Sequence, residues 1–234
     1  MAEKTKAGGI NMDSREKILS RIRSQKGRDV LSKSEQDILA RRIQAHKRNL
    51  VPKRSQIPPE DQIALFTEKM TELLTTVERV ESSSQIPERI KAYLAAKNLP
   101  SRIKVSPSPL VANLPWEEVP TLEIVTGAGA EEDEVGLSPA FSAIAESGTL
   151  MMVSGPDTPS TVNFLPENHI VVVDVKTMCG SYEEAWDLLR SGRGTDDMPR
   201  TVNLISGPSR TADIEQRLIM GAHGPKSLHV ILVG

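Results

Sequence analysis

The sequence IVVVDV, Ile170–Val175, decides the fold class. It is a short and almost unbroken apolar run, which is typical of a strand buried on both faces in a mainly parallel sheet. Similar runs recur through the second half of the chain and predict strands at Arg102–Val105, Thr121–Val125, Thr149–Val153, Val202–Ile205 and Leu228–Val233. The sequence therefore predicts a central sheet that other elements cover on both sides.

Helical patterns occur between these strands and ahead of them. The spacing predicts helices at Pro139–Ala145, Ser181–Arg190 and Thr211–Met220. Before the first strand, one helix is expected from Pro87 to Pro100, and a longer core-facing helix is expected from its apolar positions, which are Ile63, Phe66, Met70, Leu73, Leu74 and Val77. Alternating strands and helices predict an α/β protein with a mainly parallel central sheet flanked by helices.

The first quarter of the chain differs from the rest in charge. Through Glu60 there are 15 Lys or Arg against 7 Asp or Glu, a net charge of +8, whereas the remainder has 14 against 24, a net charge of −10. Amphipathic helices are expected after Asp13 and from near Ser34 to before Pro52, followed by a proline-containing linker at Val51–Pro59. We therefore expect a basic helical extension and linker over residues 1–58 and an α/β domain over residues 59–234.

The composition excludes several classes of function. The single cysteine, Cys179, rules out an internal disulfide and any metal cluster built from several thiolates of this chain alone, and it fits a reducing compartment. No run approaches the roughly 20 apolar residues of a membrane span. We expect a cytoplasmic protein with no membrane segment and no metal site. Nucleic acid is an unlikely partner, because the basic extension has no aromatic residues for base stacking, but its helices are suited to docking on a partner protein or a second copy of the chain.

The segment ISGPSRT, Ile205–Thr211, is the first candidate site. Its order of strand, glycine turn and expected helix predicts an anion site in which Ser206, Gly207, Ser209, Arg210 and Thr211 bind phosphate or carboxylate. Free amides at a helix N-terminus attract anions, and arginine binds them with two hydrogen bonds. A capped turn in which Arg210 pairs with Asp213 uses the same residues and is an equally good interpretation.

Two further candidates are a carboxylate and an imidazole. Glu146 lies in AESGT, where an expected helix meets a strand, and is a candidate nucleophile, base or hydrogen-bond anchor; a carboxylate held by nearby amides is the alternative. His223 in GAHGP is a candidate acid, base or anion ligand, or else bonds within its loop. His169 and His229, at or beside apolar strands, are expected to be structural.

Several of these motifs together resemble the LutC (YkgG) family, whose LUD domain is named for lactate utilisation. The resemblance rests on AESGT at Ala145–Thr149, HIVVV at His169–Val173, ISGPSRTADIE at Ile205–Glu215 and GAHGPKSLHVILV at Gly221–Val233. It covers roughly Pro59–Gly234, with SREKILSRIR also similar to the family's start. It implies a fold like that of the NagB, RpiA and CoA-transferase superfamily.

The resemblance also implies a function. It points to a non-redox subunit of an iron-sulfur-dependent system that oxidises L-lactate to pyruvate, in which the chain binds a small anionic ligand or organises its partners. The iron-sulfur clusters are then expected in partner subunits, and no cofactor is expected on this chain alone. The alternative is a stand-alone enzyme acting on a phosphorylated, acyl or CoA-linked metabolite. In both cases we expect Ser206–Thr211 at the carboxyl-end edge of the sheet, beside Glu146.

Overall fold

The computed structural model describes residues 13–27, 30–193, 197–214 and 217–234, with only the backbone described over 212–214 and 217–219. Contacts divide the chain into two compact units, one ending at Lys47 and the other running from Arg48 to Gly234. This division lies ahead of the domain boundary at 58/59 that the sequence predicts. The proline-containing segment after Arg48 belongs to the larger unit, and Ser55 within it is fully buried.

The N-terminal unit contains two helices, α1 at Ser14–Gln25 and α2 at Lys33–Gln44. Ser32 caps α2 in a reciprocal arrangement with Glu35, because each side chain bonds the backbone N–H of the other residue. Asp13 precedes α1 as expected, although its side chain makes no capping hydrogen bond. Neither helix contains a buried residue.

The larger unit alternates strands and helices. Its helices are α3 (Pro59–Glu72), α4 (Ile86–Lys97), α5 (Pro109–Ala112), α6 (Thr161–Phe164) and α7 (Tyr182–Arg193). Its strands are β1 (Thr76–Val80), β2 (Arg102–Val105), β3 (Glu123–Thr126), β4 (Val135–Pro139), β5 (Ser142–Ile144), β6 (Thr149–Val153), β7 (Asn168–Asp174), β8 (Met178–Cys179), β9 (Val202–Ile205), β10 (Arg210–Ile214), β11 (Arg217–Met220) and β12 (Ser227–Val233).

Six strands form the central sheet in the order β1-β12-β7-β4-β2-β3, and all of its pairings are parallel. A four-stranded sheet, β8-β5-β6-β9, is mainly antiparallel, and β10 with β11 forms a separate antiparallel hairpin. The predicted α/β fold with a mainly parallel central sheet is confirmed.

The sheet's two faces pack against different partners. Residues at alternate positions of β7, such as Val171 and Val173, contact α3 and the second sheet through Phe66 and Leu150. The opposite face packs on α4 through residues such as Ile90. A third cluster joins β5 and β6 to α7. The second sheet is thus held between the central sheet and α7, and this arrangement positions the loops discussed below.

Two predicted helices are wrong. Pro139 ends β4 and the next residues form β5, so Pro139–Ala145 is not helical. Thr211–Met220 is the β10–β11 hairpin, in which Arg210 pairs with Met220. Helix α3 is also shorter than its apolar spacing suggests, since it ends at Glu72 and Leu74 adopts φ 64°. In these segments strand pairing, of β5 with β6 and β8, of β10 with β11 and of β1 with β12, overrides a local helical preference that is worth only tenths of a kcal/mol per residue (about 0–0.7).

Candidate functional site

Four of the predicted site residues line one cavity. The cavity has a volume of about 240 Å³ and lies where the loop after β9 meets the loop before β12. Its lining is Asn163, Phe164, His169, Leu204, Ile205, Ser206, Gly207, Pro208, Ser209, His223, Gly224, Pro225 and Leu228. We call it the 206–223 cavity.

The loop after β9 is fixed by its neighbours. Leu150 pairs with Ile205, which places the first residue of the loop, Ser206, beside the start of β6. Gly207 has φ 89°, and a Cβ there would lie 2.8 Å from the carbonyl oxygen of Leu73, so the position requires glycine. A side chain at this position would push the loop away from the end of α3.

Hydrogen bonds of Ser209 join the loop after β9 to the loop before β12. The Ser209 N–H donates to the carbonyl oxygen of Pro225 at 2.9 Å, and the Ser209 hydroxyl accepts from the N–H of His223 at 3.3 Å. The glycine-flanked His223 is itself exposed. The structure therefore places His223 next to the predicted anion loop, as an exposed polar group in the lining of the cavity.

The most unusual group in the cavity lining is His169, which the sequence suggested was structural. Its side chain is buried, and burial lowers the pKa of its imidazole to about 3, so the ring is neutral near pH 7. Nε2 lies 2.7 Å from the hydroxyl of Ser138, which in turn donates to Oδ1 of Asn163 at 2.9 Å. Nδ1 is buried and has no hydrogen-bond partner among the described residues. The only sequence signal for this residue is its position in HIVVV, at the amino end of an apolar strand.

Glu146 lies outside this cavity. It belongs to a single 3-10 turn after β5, not to the end of a helix as predicted. One carboxylate oxygen accepts the N–H of Tyr182, at the start of α7, at 3.2 Å, and the other lies 3.6 Å from a guanidinium nitrogen of Arg54. Glu146 lines a separate cavity of about 290 Å³ together with both of these residues. The oxygen near Arg54 is buried and accepts no hydrogen bond among the described residues, so neighbouring donors hold only one side of the carboxylate.

A network of hydroxyl groups connects the two cavities. Oγ1 of Thr149 lies 2.6 Å from the hydroxyl of Ser206, 2.8 Å from that of Ser147 and 2.9 Å from that of Tyr182. The AESGT and ISGPSR motifs therefore meet, as expected, but through Thr149 and Tyr182 and not through Glu146 itself.

Arg210 and Thr211 do not line the 206–223 cavity. Both belong to β10, and Arg210 is exposed. Because a hairpin follows the loop, the helix N-terminus on which the predicted anion site depended is absent, and with it the helix dipole. The alternative pairing of Arg210 with Asp213 involves a side chain outside the described set.

The cavity lies at the opposite edge of the central sheet from the one predicted. His169 and Leu228 are the second residues of β7 and β12, so the cavity is at the amino ends of these strands, although Ser206 does follow the carboxyl end of β9 in the second sheet. A larger crevice of about 560 Å³ lies at the carboxyl ends. It is lined by Ser83, Ile86, Leu110, Pro139, Ala140, Phe141, Val172, Asp174, Thr177 and Val233 and contains none of the predicted residues.

Other expected features concern metals, membranes and the cysteine. Within the described ranges, no cluster of three or more His, Cys, Asp or Glu residues is arranged to hold a metal ion. Across the same residues, no helix has the length and apolar character of a membrane span. Cys179 is buried beside the Ser142 hydroxyl, and burial raises the pKa of its thiol, which makes it a poor nucleophile.

Comparison with known proteins gives three kinds of match. Residues 63–233 match the LUD domain family. An uncharacterized protein of Neisseria meningitidis is 39% identical over 103 residues, and Lactate utilization protein C of Bacillus subtilis is 35% identical over 105 residues. These alignments cover 43% and 44% of this chain and 42% and 44% of the respective relatives, so the chain matches less than half the length of each.

A solved structure supports the fold. A DUF162 family protein from Deinococcus radiodurans superposes with a TM-score of 0.56 over 76% of this chain and 99% of its own, at 19% identity. At that identity the similarity establishes the architecture alone. Since the matched segment 63–233 covers most of the chain and includes both the AESGT and the ISGPSR motifs, the chain belongs to the LUD domain family.

Proposed function

We propose that this protein acts in lactate utilisation as a non-redox component that binds a small carboxylate in the 206–223 cavity. One observation carries the proposal: Ser206, Gly207, Ser209 and His223, from two separate sequence motifs, line a single cavity of about 240 Å³. Four hydroxyl or imidazole side chains, one amide and two glycines line the cavity among apolar residues, a combination that suits a small polar ligand such as an anion. The relatives named Lactate utilization protein C support the biological setting.

Electron transfer in such a system falls to partner subunits. Iron-sulfur clusters are held by several cysteine thiolates, and this chain has one cysteine, which is buried. We therefore propose iron-sulfur proteins as its partners. Co-purification with such subunits, and loss of growth on lactate when the gene is deleted, are the expected results. Unchanged growth on lactate argues against the role.

Ligand binding is tested by thermal shift and titration calorimetry with lactate, pyruvate, phosphate and CoA. A ligand at 100 times its Kd stabilises the folded state by about 2.7 kcal/mol, which is a readily measured shift. At Gly224 a Cβ makes ordinary contacts with Ser209 and Phe164 at 3.6 and 3.7 Å, so the two methyl groups of Gly224→Val extend beyond this contact among the lining residues and should weaken binding. Ala222→Val, at an exposed position of the same loop that does not line the cavity, is the matched control. Equal binding by both variants contradicts this location.

A second candidate function is supported by Glu146. This buried carboxylate faces its own cavity beside Arg54 and Tyr182, which suits an enzyme acting on a phosphorylated, acyl or CoA-linked metabolite with Glu146 as nucleophile or base. Glu146→Gln should then abolish turnover while ligand binding persists. If wild-type protein turns over none of a panel of such metabolites, this alternative loses its support.

A further inference from the structure

The carboxyl-end crevice, with its volume of about 560 Å³, continues into a second cavity of about 180 Å³. Four residues line both cavities, namely Leu110, Pro139, Ala140 and Phe141. Pro139 is the last residue of β4, so the shared wall lies at the carboxyl end of a strand inside the central sheet. The two cavities therefore adjoin, and we call them together the extended crevice.

The extended crevice crosses the central sheet where the order of its strands reverses. After β2 the chain adds β3 on one side, whereas it adds β4, β7 and β12 in turn on the other. Ligands of open α/β sheets bind outside the carboxyl ends of the strands at such a switch point. Asp174 and Val233 end β7 and β12 and line the first cavity, and Ser108, shortly after β2, lines the second. The extended crevice thus follows this edge from β12 to β2.

The part of the extended crevice between its two ends is apolar. Ile86, Phe141 and Val172 contribute to its wall together with Leu110, which is 64% exposed. Removing apolar surface from water is favourable roughly in proportion to the area removed, so a ligand that covers Leu110 gains affinity. We therefore expect the ligand to have an apolar body.

The end at β7 offers hydrogen-bond acceptors. Oδ1 of Asp174 accepts the N–H of Lys176 at 2.9 Å, and the carboxylate takes part in no ion pair with a described residue. The Thr177 hydroxyl donates its proton to the carbonyl oxygen of Asp174 at 2.8 Å, so its own oxygen can only accept from a ligand. A carboxylate and an acceptor oxygen suit an ammonium group, which carries a positive charge and three donors.

The end at β2 offers hydrogen-bond donors. Arg193 lines the second cavity but not the first. Ser108 is 6% exposed and precedes α5, yet its side chain makes no capping hydrogen bond and has no partner among the described residues, so its hydroxyl is available to donate. A guanidinium with a hydroxyl suits an anion, and one guanidinium matches the single charge of a carboxylate better than the double charge of a phosphate.

We infer that the extended crevice binds an apolar peptide of about three residues, with its ammonium end at Asp174 and its carboxylate end at Arg193. The length follows from the sheet, because β7 and β2 are separated by one strand and neighbouring strands lie about 4.8 Å apart, which gives roughly 10 Å between the ends. An extended chain spans about 3.3–3.6 Å per residue. The inference does not depend on the proposed function, because the 206–223 cavity lies at the opposite edge of the sheet.

The test is titration calorimetry of leucyl-alanyl-leucine against the full chain. Acetylating the amino end or amidating the carboxyl end of the peptide should each weaken binding at least about fivefold, because each change removes one charged hydrogen-bonding group. Seryl-glycyl-serine has the same two ends without the apolar body, and it should bind at least about tenfold more weakly.

Two variants assign the ends of the peptide. Asp174→Asn keeps an acceptor for the N–H of Lys176 but removes the charge, so it should lose the sensitivity to acetylation and keep the sensitivity to amidation. Arg193→Gln should show the reverse. Arg200→Gln changes an exposed arginine outside the extended crevice and is the matched control, which should keep both sensitivities.

Several outcomes overturn the inference. They are no binding of leucyl-alanyl-leucine at millimolar concentration, equal binding of seryl-glycyl-serine, and a sensitivity to acetylation that survives in Asp174→Asn. If a variant does not fold, amide spectra of the nitrogen-15-labelled wild type decide the matter. Changes at Ser108, Ala140 and Phe141 on adding the peptide support the inference, and changes confined to the Ser206–Ser209 loop contradict it. Lactate binding is measured separately, so either proposal can fail alone.

Discussion

Two regions of the central sheet each contain a buried histidine, and they differ in how the ring is satisfied. In the region between β1 and β12, Nδ1 of His229 lies 2.8 Å from the hydroxyl of Thr76 and Nε2 lies 3.1 Å from a carboxylate oxygen of Glu78. Its ring also stacks on Tyr93, with centroids 4.1 Å apart. In the region between β4, β7 and α6, Nε2 of His169 lies 2.7 Å from the hydroxyl of Ser138, and its buried Nδ1 has no partner among the described residues.

The difference teaches that burial alone does not determine whether both ring nitrogens of a histidine are hydrogen-bonded within the protein. Both side chains are almost inaccessible, and desolvation lowers the pKa of both. The edge strand β1 supplies a polar partner to each ring nitrogen of His229, so both nitrogens are hydrogen-bonded within the protein. Nδ1 of His169, by contrast, has no partner among the described residues, and the residue belongs to the lining of the 206–223 cavity.

The largest expected effect is the loss of stability that His169 causes as the pH is lowered. Unfolded His169 titrates near 6.5, while its folded pKa is about 3, so between these values the unfolded chain binds more protons and stability rises with pH. This residue should then contribute a loss of about 3 kcal/mol between pH 6.5 and 4. Urea unfolding at several pH values measures it. His169→Gln should flatten the dependence by about one proton's slope, about 1.4 kcal/mol per pH unit; identical slopes would contradict this.

Removing the His229 ring should destabilise the fold without affecting ligand binding. His229→Ala removes the ring stacked on Tyr93 and leaves the polar groups of Thr76 and Glu78 without their partner. We expect a loss of about 2–3 kcal/mol in the free energy of unfolding, measured by urea denaturation. Carboxylate affinity should stay unchanged, and a large drop in affinity would show that the two regions are coupled.

Disrupting the hydroxyl network around Thr149 should have an effect of intermediate size on stability and binding. Thr149→Val keeps the side-chain shape but removes the oxygen that contacts Ser147, Tyr182 and Ser206, all within 2.9 Å. We expect a loss of about 1–2 kcal/mol in stability and weaker carboxylate binding, because the Ser206 loop loses its anchor. Thr126→Val, at an exposed strand end, is the control and should change neither quantity.

The smallest effect is expected at the ion pair of Glu146. Arg54 is 68% exposed in its side chain and lies 3.6 Å from the carboxylate. Arg54→Ala should therefore lower stability by less than about 0.5 kcal/mol and leave carboxylate binding in the 206–223 cavity unchanged. Strongly reduced binding in this variant would indicate that the Glu146 cavity, and not the 206–223 cavity, holds the ligand.

The fold was predictable where burial determines composition. The strands β6, β7 and β12 appear in the sequence as apolar runs because both of their faces are covered, and β2 and β9 were also predicted although they are only partly buried. The edge strand β1, TVERV, was missed because half of its side chains are polar, and β4, VGLSP, was missed because it contains glycine and proline. The β10–β11 hairpin was predicted as a helix because its apolar spacing fits both structures, and periodicity alone does not decide between them.

The candidate site was predictable only in part. The turn chemistry around Gly207 and the flanking glycines of His223 identified two loops that the structure brings together. Arg210 was assigned to the site through a helix that does not form. His169 could not be identified from sequence, because an apolar strand with a terminal histidine gives no information on which ring nitrogen lacks a partner. The hydrogen bonding of the His169 ring depends on Ser138, in β4, and through it on Asn163, in α6.

The proposed function is tested most directly by locating the bound carboxylate. Backbone amide spectra of the nitrogen-15-labelled chain, recorded during titration with L-lactate, report which residues the ligand perturbs. We predict that the amide signals of Ser206, Gly207, Ser209 and Gly224 change most, with little change near Glu146. Changes concentrated around Pro139–Phe141, at the carboxyl-end crevice, or around Glu146 would contradict it.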